Sequence, residues 1–180
     1  MLIRHGEKPT SADRGVTFEG APNKKALTVT GWARAGALVE LFAPTVGPPR
    51  PGLSRPCALF ASSRDGPGGG SDRQYQTLQL LAKRLGISVD LEHGVGEERE
   101  LLDAVTATPG PALICWKHDF MPTIAAHLSP TADLPSAWPE NRYDVVWVFT
   151  RSAGAQNVLE YEFSQIPELL LPGDRATPIP

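Results

Sequence analysis

The sequence predicts a three-layer α/β/α sandwich with a mostly parallel central sheet and an antiparallel edge strand, folded as one domain over residues 1–180. Three observations carry this. Short apolar runs recur along the chain and stop at polar side chains: Leu2-Ile3-Arg4-His5, Cys57-Ala58-Leu59-Phe60-Ala61-Ser62-Ser63 and Ala112-Leu113-Ile114-Cys115-Trp116-Lys117-His118. Strands buried on both faces of a parallel sheet read as such continuous runs. Between them lie segments whose apolar residues recur at helical spacing, and this alternation of strand and helix is the mark of an α/β fold. Towards the end the texture changes. The run Asp144-Val145-Val146-Trp147-Val148-Phe149 is followed by residues 158–164, whose apolar–polar alternation suggests an antiparallel partner.

The first strand runs into a tight turn at Gly6, where a missing Cβ permits a sharp bend or close approach to a ligand. Residues 9–25 mix Pro, Ser, Asp, Gly and Asn without period and read as a loop, in which Lys24 and Lys25, with Lys8 before them, either face an anion or are simply solvated. Thr28 is placed to cap a helix with Trp32, Ala35, Leu38, Val39 and Phe42 on its apolar face, ended by Pro44. The Pro- and Gly-dense residues 44–56 form a surface connection to the second strand. After it, Arg64-Asp65-Gly66-Pro67-Gly68-Gly69-Gly70-Ser71-Asp72 has neither helix nor strand character; it reads as a flexible insert, with a flap or an anion-binding nest of backbone N–H groups as alternatives.

A helix opens at Arg73, buries Tyr75, Leu78, Leu81, Ala82 and Leu85, and is closed by Gly86. A short strand is expected in residues 87–91 and a helix in 97–107, packed through Leu101, Leu102 and Val105. The strand that ends at His118 leads into a helix over 120–128, with Met121, Ile124, Ala125 and Leu128 inward and its positive dipole end toward the strand tips. A strand over 143–150, a turn through 152–157 and the alternating strand complete the sheet. Leu169-Leu170-Leu171-Pro172-Gly173-Asp174 passes into a Pro-rich tail expected to be loose.

Composition sets the outer bounds. A chain of 180 residues suits one domain with a sizeable core, and 41% hydrophobic with 21% charged residues is ordinary for a globular protein. A net charge of −3 argues against a nucleic-acid partner. Cys57 and Cys115 both fall in apolar runs and read as buried thiols, not as a disulfide framework or zinc spacing. No stretch is long enough to cross a membrane and no leader is read, so the default localisation is cytoplasmic. Met1 leaves few residues before Arg4, so either the first strand is short or the chain begins earlier.

In α/β sheets ligands sit beyond the carboxyl ends of the strands. Here that rim gathers Arg4, His5 and His118, with Arg73 opening a neighbouring helix. An arginine fork suits phosphate, and a histidine can act as nucleophile or proton carrier. The order of these motifs resembles the histidine phosphatase superfamily, the phosphoglycerate-mutase-like proteins. Arg4-His5-Gly6-Glu7 matches their opening; Leu27, Thr28, Gly31, Arg34 and Ala35 match Leu-Thr-x-x-Gly-x-x-Arg-Ala; Ser62 or Ser63 with Arg73, Gln76 and Thr77 match the next motif; and His118 stands for their second histidine. The match covers roughly residues 2–128.

The resemblance implies that Arg4 and Arg73 bind the phosphoryl group, His5 attacks it to form phosphohistidine, and His118 hydrogen-bonds its oxygens, with no cofactor and no metal. Arg64 competes with Arg73 for the phosphate role because of the insert. For the proton donor, Asp119 directly after His118 matches one branch of the family, although it is equally placed as a helix N-cap. Its rivals are Glu7, Glu92, Glu97 and Glu98. His93 and His127 read as surface residues. The leading expectation is a phosphomonoester hydrolase acting on a small phosphorylated metabolite or a phosphoprotein. A mutase-type phosphotransferase and a non-catalytic phosphate-binding module are the alternatives.

Overall fold

The computed structural model describes residues 1–65, 70–151 and 161–180. Its elements are β1 Leu2–Arg4, α1 Val29–Phe42, β2 Ala58–Ala61, α2 Arg73–Leu85, β3 Val89–Asp90, α3 Glu98–Ala107, β4 Ala112–Trp116, a 3-10 turn His118–Phe120, α4 Met121–Leu128, β5 Val145–Arg151 and β6 Tyr161–Pro167. They form one six-stranded sheet in the order β3-β2-β4-β1-β5-β6. β3, β2, β4 and β1 run parallel, β5 pairs antiparallel with β1, and the edge strand β6 pairs antiparallel with β5.

Successive residues of a strand face opposite sides of the sheet, and each side carries its own layer of helices. Leu2, Phe60 and Ile114 pack with Leu101 and Leu102 of α3 and Met121, Ile124, Ala125 and Leu128 of α4. Ile3, Leu59, Leu113 and Cys115 pack on the other side with Leu38, Leu41 and Phe42 of α1 and Leu78 and Leu81 of α2. Three layers result, as the sequence predicts. The Thr28 hydroxyl accepts the Gly31 N–H at 3.1 Å and starts α1. Gly86 closes α2 in the left-handed region at φ 70°, where a side chain would be strained.

Three expectations need correction. Cys57 is exposed, because it stands just before β2 and faces Gly110. Among the described residues the last strand is Tyr161–Pro167, running past the expected end at 164: all seven residues of β5 pair along it, from Val145 opposite Pro167 to Arg151 opposite Tyr161. A proline is tolerated at the end of an edge strand. The turn expected at 152–157 and the start of the alternating run lie outside the described residues, as do residues 66–69 of the insert.

The tail is the third, since it is tied down by polar bonds and one core residue. The Asp174 carboxylate accepts the Leu170 and Leu171 N–H groups, Arg142 donates to the Thr177 carbonyl, and Gln165 bonds both polar groups of the Ile179 backbone. The Ile179 side chain is buried in the core.

Arg34, matched in the sequence to a motif with no evident role, is the centre of this closure. Its guanidinium is nearly fully buried and binds Glu7 at 2.8 Å, Glu168 at 2.8 Å and Asp174 at 2.7 Å. It thereby joins α1 to the loop after β1 and to the chain beyond β6. Burial pushes the Glu168 carboxyl up to about 8 against the pull of Arg34. Removing one partner of a buried charge network leaves the others uncompensated, which costs about 3–5 kcal/mol. Arg34→Met is therefore expected to lower unfolding free energy in denaturant by about that amount; a loss below about 1 kcal/mol would show that these carboxylates do not depend on Arg34.

Candidate active site

The site follows from one pairing. β1 and β4 are neighbours in parallel register with Arg4 opposite Trp116, so the residues after each strand emerge side by side. His5 leaves β1 there, and Lys117, His118 and Asp119 leave β4. The first turn of α2 approaches with Arg73 and Gln74. Together with Lys8, Glu140, Gly70 and Ser71 these residues line a cavity of about 470 Å³. A second cavity, of about 480 Å³, opens at the amino ends of the strands beside Met1, Pro111 and Tyr161; Arg151 is its one charged side chain among the described residues.

The two glycines matched in the first motifs serve the backbone crossing behind the site. A Cβ on Gly6 would lie 2.9 Å from the Gly31 carbonyl oxygen, and one on Gly31 would lie 2.7 Å from that of Glu7. The close approach of Gly6 is thus to α1 and not to a ligand. The Gly6 N–H donates to Thr77 Oγ1 at 2.9 Å, and the Leu27 N–H donates to Gln76 Oε1 at 2.9 Å. Gln76 and Thr77 therefore hold two loops against α2, which fixes where Arg73 starts.

His5 is 3% exposed, and its Nδ1 lies 2.7 Å from the Gly6 carbonyl oxygen. A carbonyl can only accept, so Nδ1 carries the proton and Nε2 keeps its lone pair. Burial first, then the Arg4 and Arg73 charges and His118, lower the imidazole to about 3 against the pull of the Gly6 hydrogen bond. The ring is a neutral base of fixed tautomer.

Arg4 lies beneath the cavity and does not line it, being 1% exposed. Its Nη1 donates to the carbonyls of Pro139, Glu140 and Arg142 at 3.2, 2.6 and 3.0 Å. Nη2 donates to the Tyr143 hydroxyl at 3.3 Å, and the guanidinium stacks 4.0 Å over that ring. Nε is buried without a partner. Arg4 is thus both a buried charge beside His5 and the anchor of the segment that brings Glu140 to the rim.

Arg73 is half-buried on the cavity wall, with Nε also buried and unpartnered. Burial lowers both arginines from their ordinary range, the sign of cations short of counter-charge. Arg64 is elsewhere: it stacks 4.5 Å over the Tyr75 ring and pairs with Asp72 at 3.2 Å. His118 lies 3.4 Å from Asp119 through Nε2, while its Nδ1 is buried and unpartnered.

Asp119 is half-exposed and caps no helix; its carboxylate faces Lys117 at 3.2 Å and His118. The N-cap alternative is thereby removed, because the 3-10 turn begins at His118 and α4 only at Met121. Its rivals are placed away from the cavity. Glu7 binds Arg34, Glu98 is buried against the Trp116 Nε1–H, Glu97 accepts the Gly94 N–H, and Glu92 is exposed.

Sequence reasoning missed Gln74, Glu140 and Tyr143. Glu140 pairs with Lys8 across the rim at 2.5 Å, and the Lys8 hydrogen bond holds its carboxyl below the ordinary range. No local pattern marks Glu140 or Tyr143, whose position depends on a contact between residues 4 and 139–143. Gln74 was readable in principle, as a polar residue next to Arg73 at the start of a helix.

No family model matches the chain, and no curated protein matches it. Among solved structures, mycobacterial hydrolase 1 is similar at 14% identity over 73% of this chain and 80% of its own, with a TM-score of 0.48. A mycobacterial glucosyl-3-phosphoglycerate phosphatase is similar at 14% identity over 73% of this chain and 79% of its own, with a TM-score of 0.46.

The geometry of His5 has a pH signature. With the folded value lowered to about 3 from 6.5, the ring stays neutral throughout that interval while the unfolded chain takes up a proton. Stability from this group is present above about 6.5 and falls as pH drops toward 3. In nitrogen NMR spectra at pH 5, His5 is expected as the neutral form protonated at Nδ1; an imidazolium signal at that pH would contradict this environment.

Proposed function

We propose that this chain is a histidine phosphatase, a metal-independent phosphomonoester hydrolase that works through a phosphohistidine on His5. The observation that carries the reading is the pair of buried arginine nitrogens with no partner among the described residues, Arg4 Nε and Arg73 Nε, around a neutral imidazole whose Nδ1 is already committed. Buried donors lose free energy when unmatched, and a phosphoryl group carries acceptor oxygens and the negative charge that two desolvated arginines lack.

In this reading the phosphoryl group lies on the cavity floor between Arg73 and His118, over the charge of Arg4. Positioned cations stabilise the charge that spreads over its equatorial oxygens in transfer. His5 Nε2 attacks phosphorus, forming the P–N bond as the P–O ester bond breaks. Asp119 enters this step protonated and released from Lys117, gives its proton to the departing alkoxide, and becomes the carboxylate that the next step needs. Water then attacks the phosphohistidine, its proton passes to Asp119, and inorganic phosphate leaves with His5 neutral again. Each step balances without a metal. Lys8 holds the other carboxylate of the rim, Glu140, ionised, which disfavours it as the acid.

The substrate is a phosphorylated small molecule or a phosphoprotein side chain, and the protein works in the cytoplasm. The test is phosphate release from an aryl and an alkyl phosphate, with and without chelator. Chelator is expected to leave both rates unchanged. His5→Ala is expected to fall below about a hundredth of the wild-type rate while melting normally, since a covalent route is worth several kcal/mol. Asp119→Asn is expected to slow the alkyl ester by about a hundredfold and the aryl ester, whose leaving group needs little protonation, by far less. Equal small effects on both esters would remove Asp119 as the acid, and binding of phosphate with no turnover would leave a phosphate-binding module instead.

A further inference from the structure

We infer that the site takes phosphomonoesters whose alcohol part carries a hydroxyl next to the ester oxygen, and that Gln74 is the residue that reads it. This rests on the phosphatase reading above. Gln74 follows Arg73 in the first turn of α2, lines the cavity, and is 4% exposed. Its Oε1 is buried and has no partner among the described residues. A buried amide oxygen without a donor is unfavourable, so a polar side chain kept at this wall is matched by a group that the site takes in.

The phosphoryl group cannot be that partner. Its dianion presents acceptors only, and Oε1 needs a donor. The two lysines that line the cavity are already paired, Lys8 with Glu140 at 2.5 Å and Lys117 with Asp119 at 3.2 Å, and in the phosphatase reading Arg73 and His118 are committed to the phosphoryl group. The donor therefore comes from the organic part of the substrate, close to the phosphorus because Gln74 adjoins Arg73. A hydroxyl on the carbon beside the ester carbon supplies it, as in polyol and sugar phosphates. A site with a buried acceptor discriminates against an analogue that leaves the acceptor unmatched.

The experiment compares kcat/KM for glycerol 3-phosphate and propyl phosphate, which share a three-carbon chain, in wild type, Gln74→Met and Gln74→Asn. The intrinsic difference between the leaving groups cancels when the preference is compared across variants. Wild type is expected to favour the glycerol ester, and the preference is expected to shrink by about tenfold in Gln74→Met, the worth of one neutral hydrogen bond. Gln74→Asn keeps an amide on a shorter stem and is expected to retain part of the preference, which keeps the test informative if the methionine variant folds poorly. An unchanged preference in both variants overturns the inference. So does an equal loss on both esters, which would mean that the amide is turned over and Nε2 donates to the phosphoryl oxygens. If wild type releases phosphate from neither ester nor from p-nitrophenyl phosphate, the activity itself is rejected and the inference with it; turnover with no Gln74-dependent preference rejects Gln74 alone.

Discussion

The arrangement depends on the parallel pairing of β1 with β4. Because Arg4 lies opposite Trp116, the two strands end level and release His5 and His118 on the same edge. The two residues are far apart in sequence, yet no loop has to fold back to bring them together. A slip of one residue in this pairing would turn every side chain of one strand to the other face, putting Arg4 or Leu2 in the place of Ile3. The apolar alternation of Leu2 and Ile3 into two separate cores makes that slip costly. The same constraint that builds the sheet therefore sets the histidine pair.

Arg4 shows how scaffold and chemistry share one side chain. Three of its hydrogen bonds go to carbonyls of residues 139–142, and Tyr143 covers its face. These bonds shape the rim that carries Glu140. The charge that does this work also lies beneath His5 and disfavours its protonation. A guanidinium suits both tasks, since its planar fork offers five donors and stays charged when buried.

Much of the fold was legible because its signals are local. Thr28, Pro44, Gly86 and the apolar face of residues 121–128 each mark an element within a few residues of its observed end. The rim residues could be placed because strand ends are where apolar runs stop. What escaped depends on contacts between distant segments. The tail reads as loose because its proline and glycine content says nothing of the Asp174–Arg34 pair or of Ile179 in the core. Gly6 reads as a turn or a ligand approach because its true neighbour, Gly31, lies on a helix 25 positions on. Glu140 joins the site through the Arg4 carbonyl bonds, which no spacing within residues 139–143 announces.

The central claim is that a neutral His5, with Nε2 free, is the atom that takes the phosphoryl group. It is tested most directly by acid-free quenching of the protein during turnover of an aryl phosphate, followed by mass-spectrometric mapping of covalent phosphate. The account predicts an acid-labile phosphate on the peptide that contains His5, lost in His5→Ala and present at higher occupancy in Asp119→Asn if hydrolysis of the intermediate is slowed. Turnover with no covalent phosphate, or with phosphate carried by another residue, would contradict it.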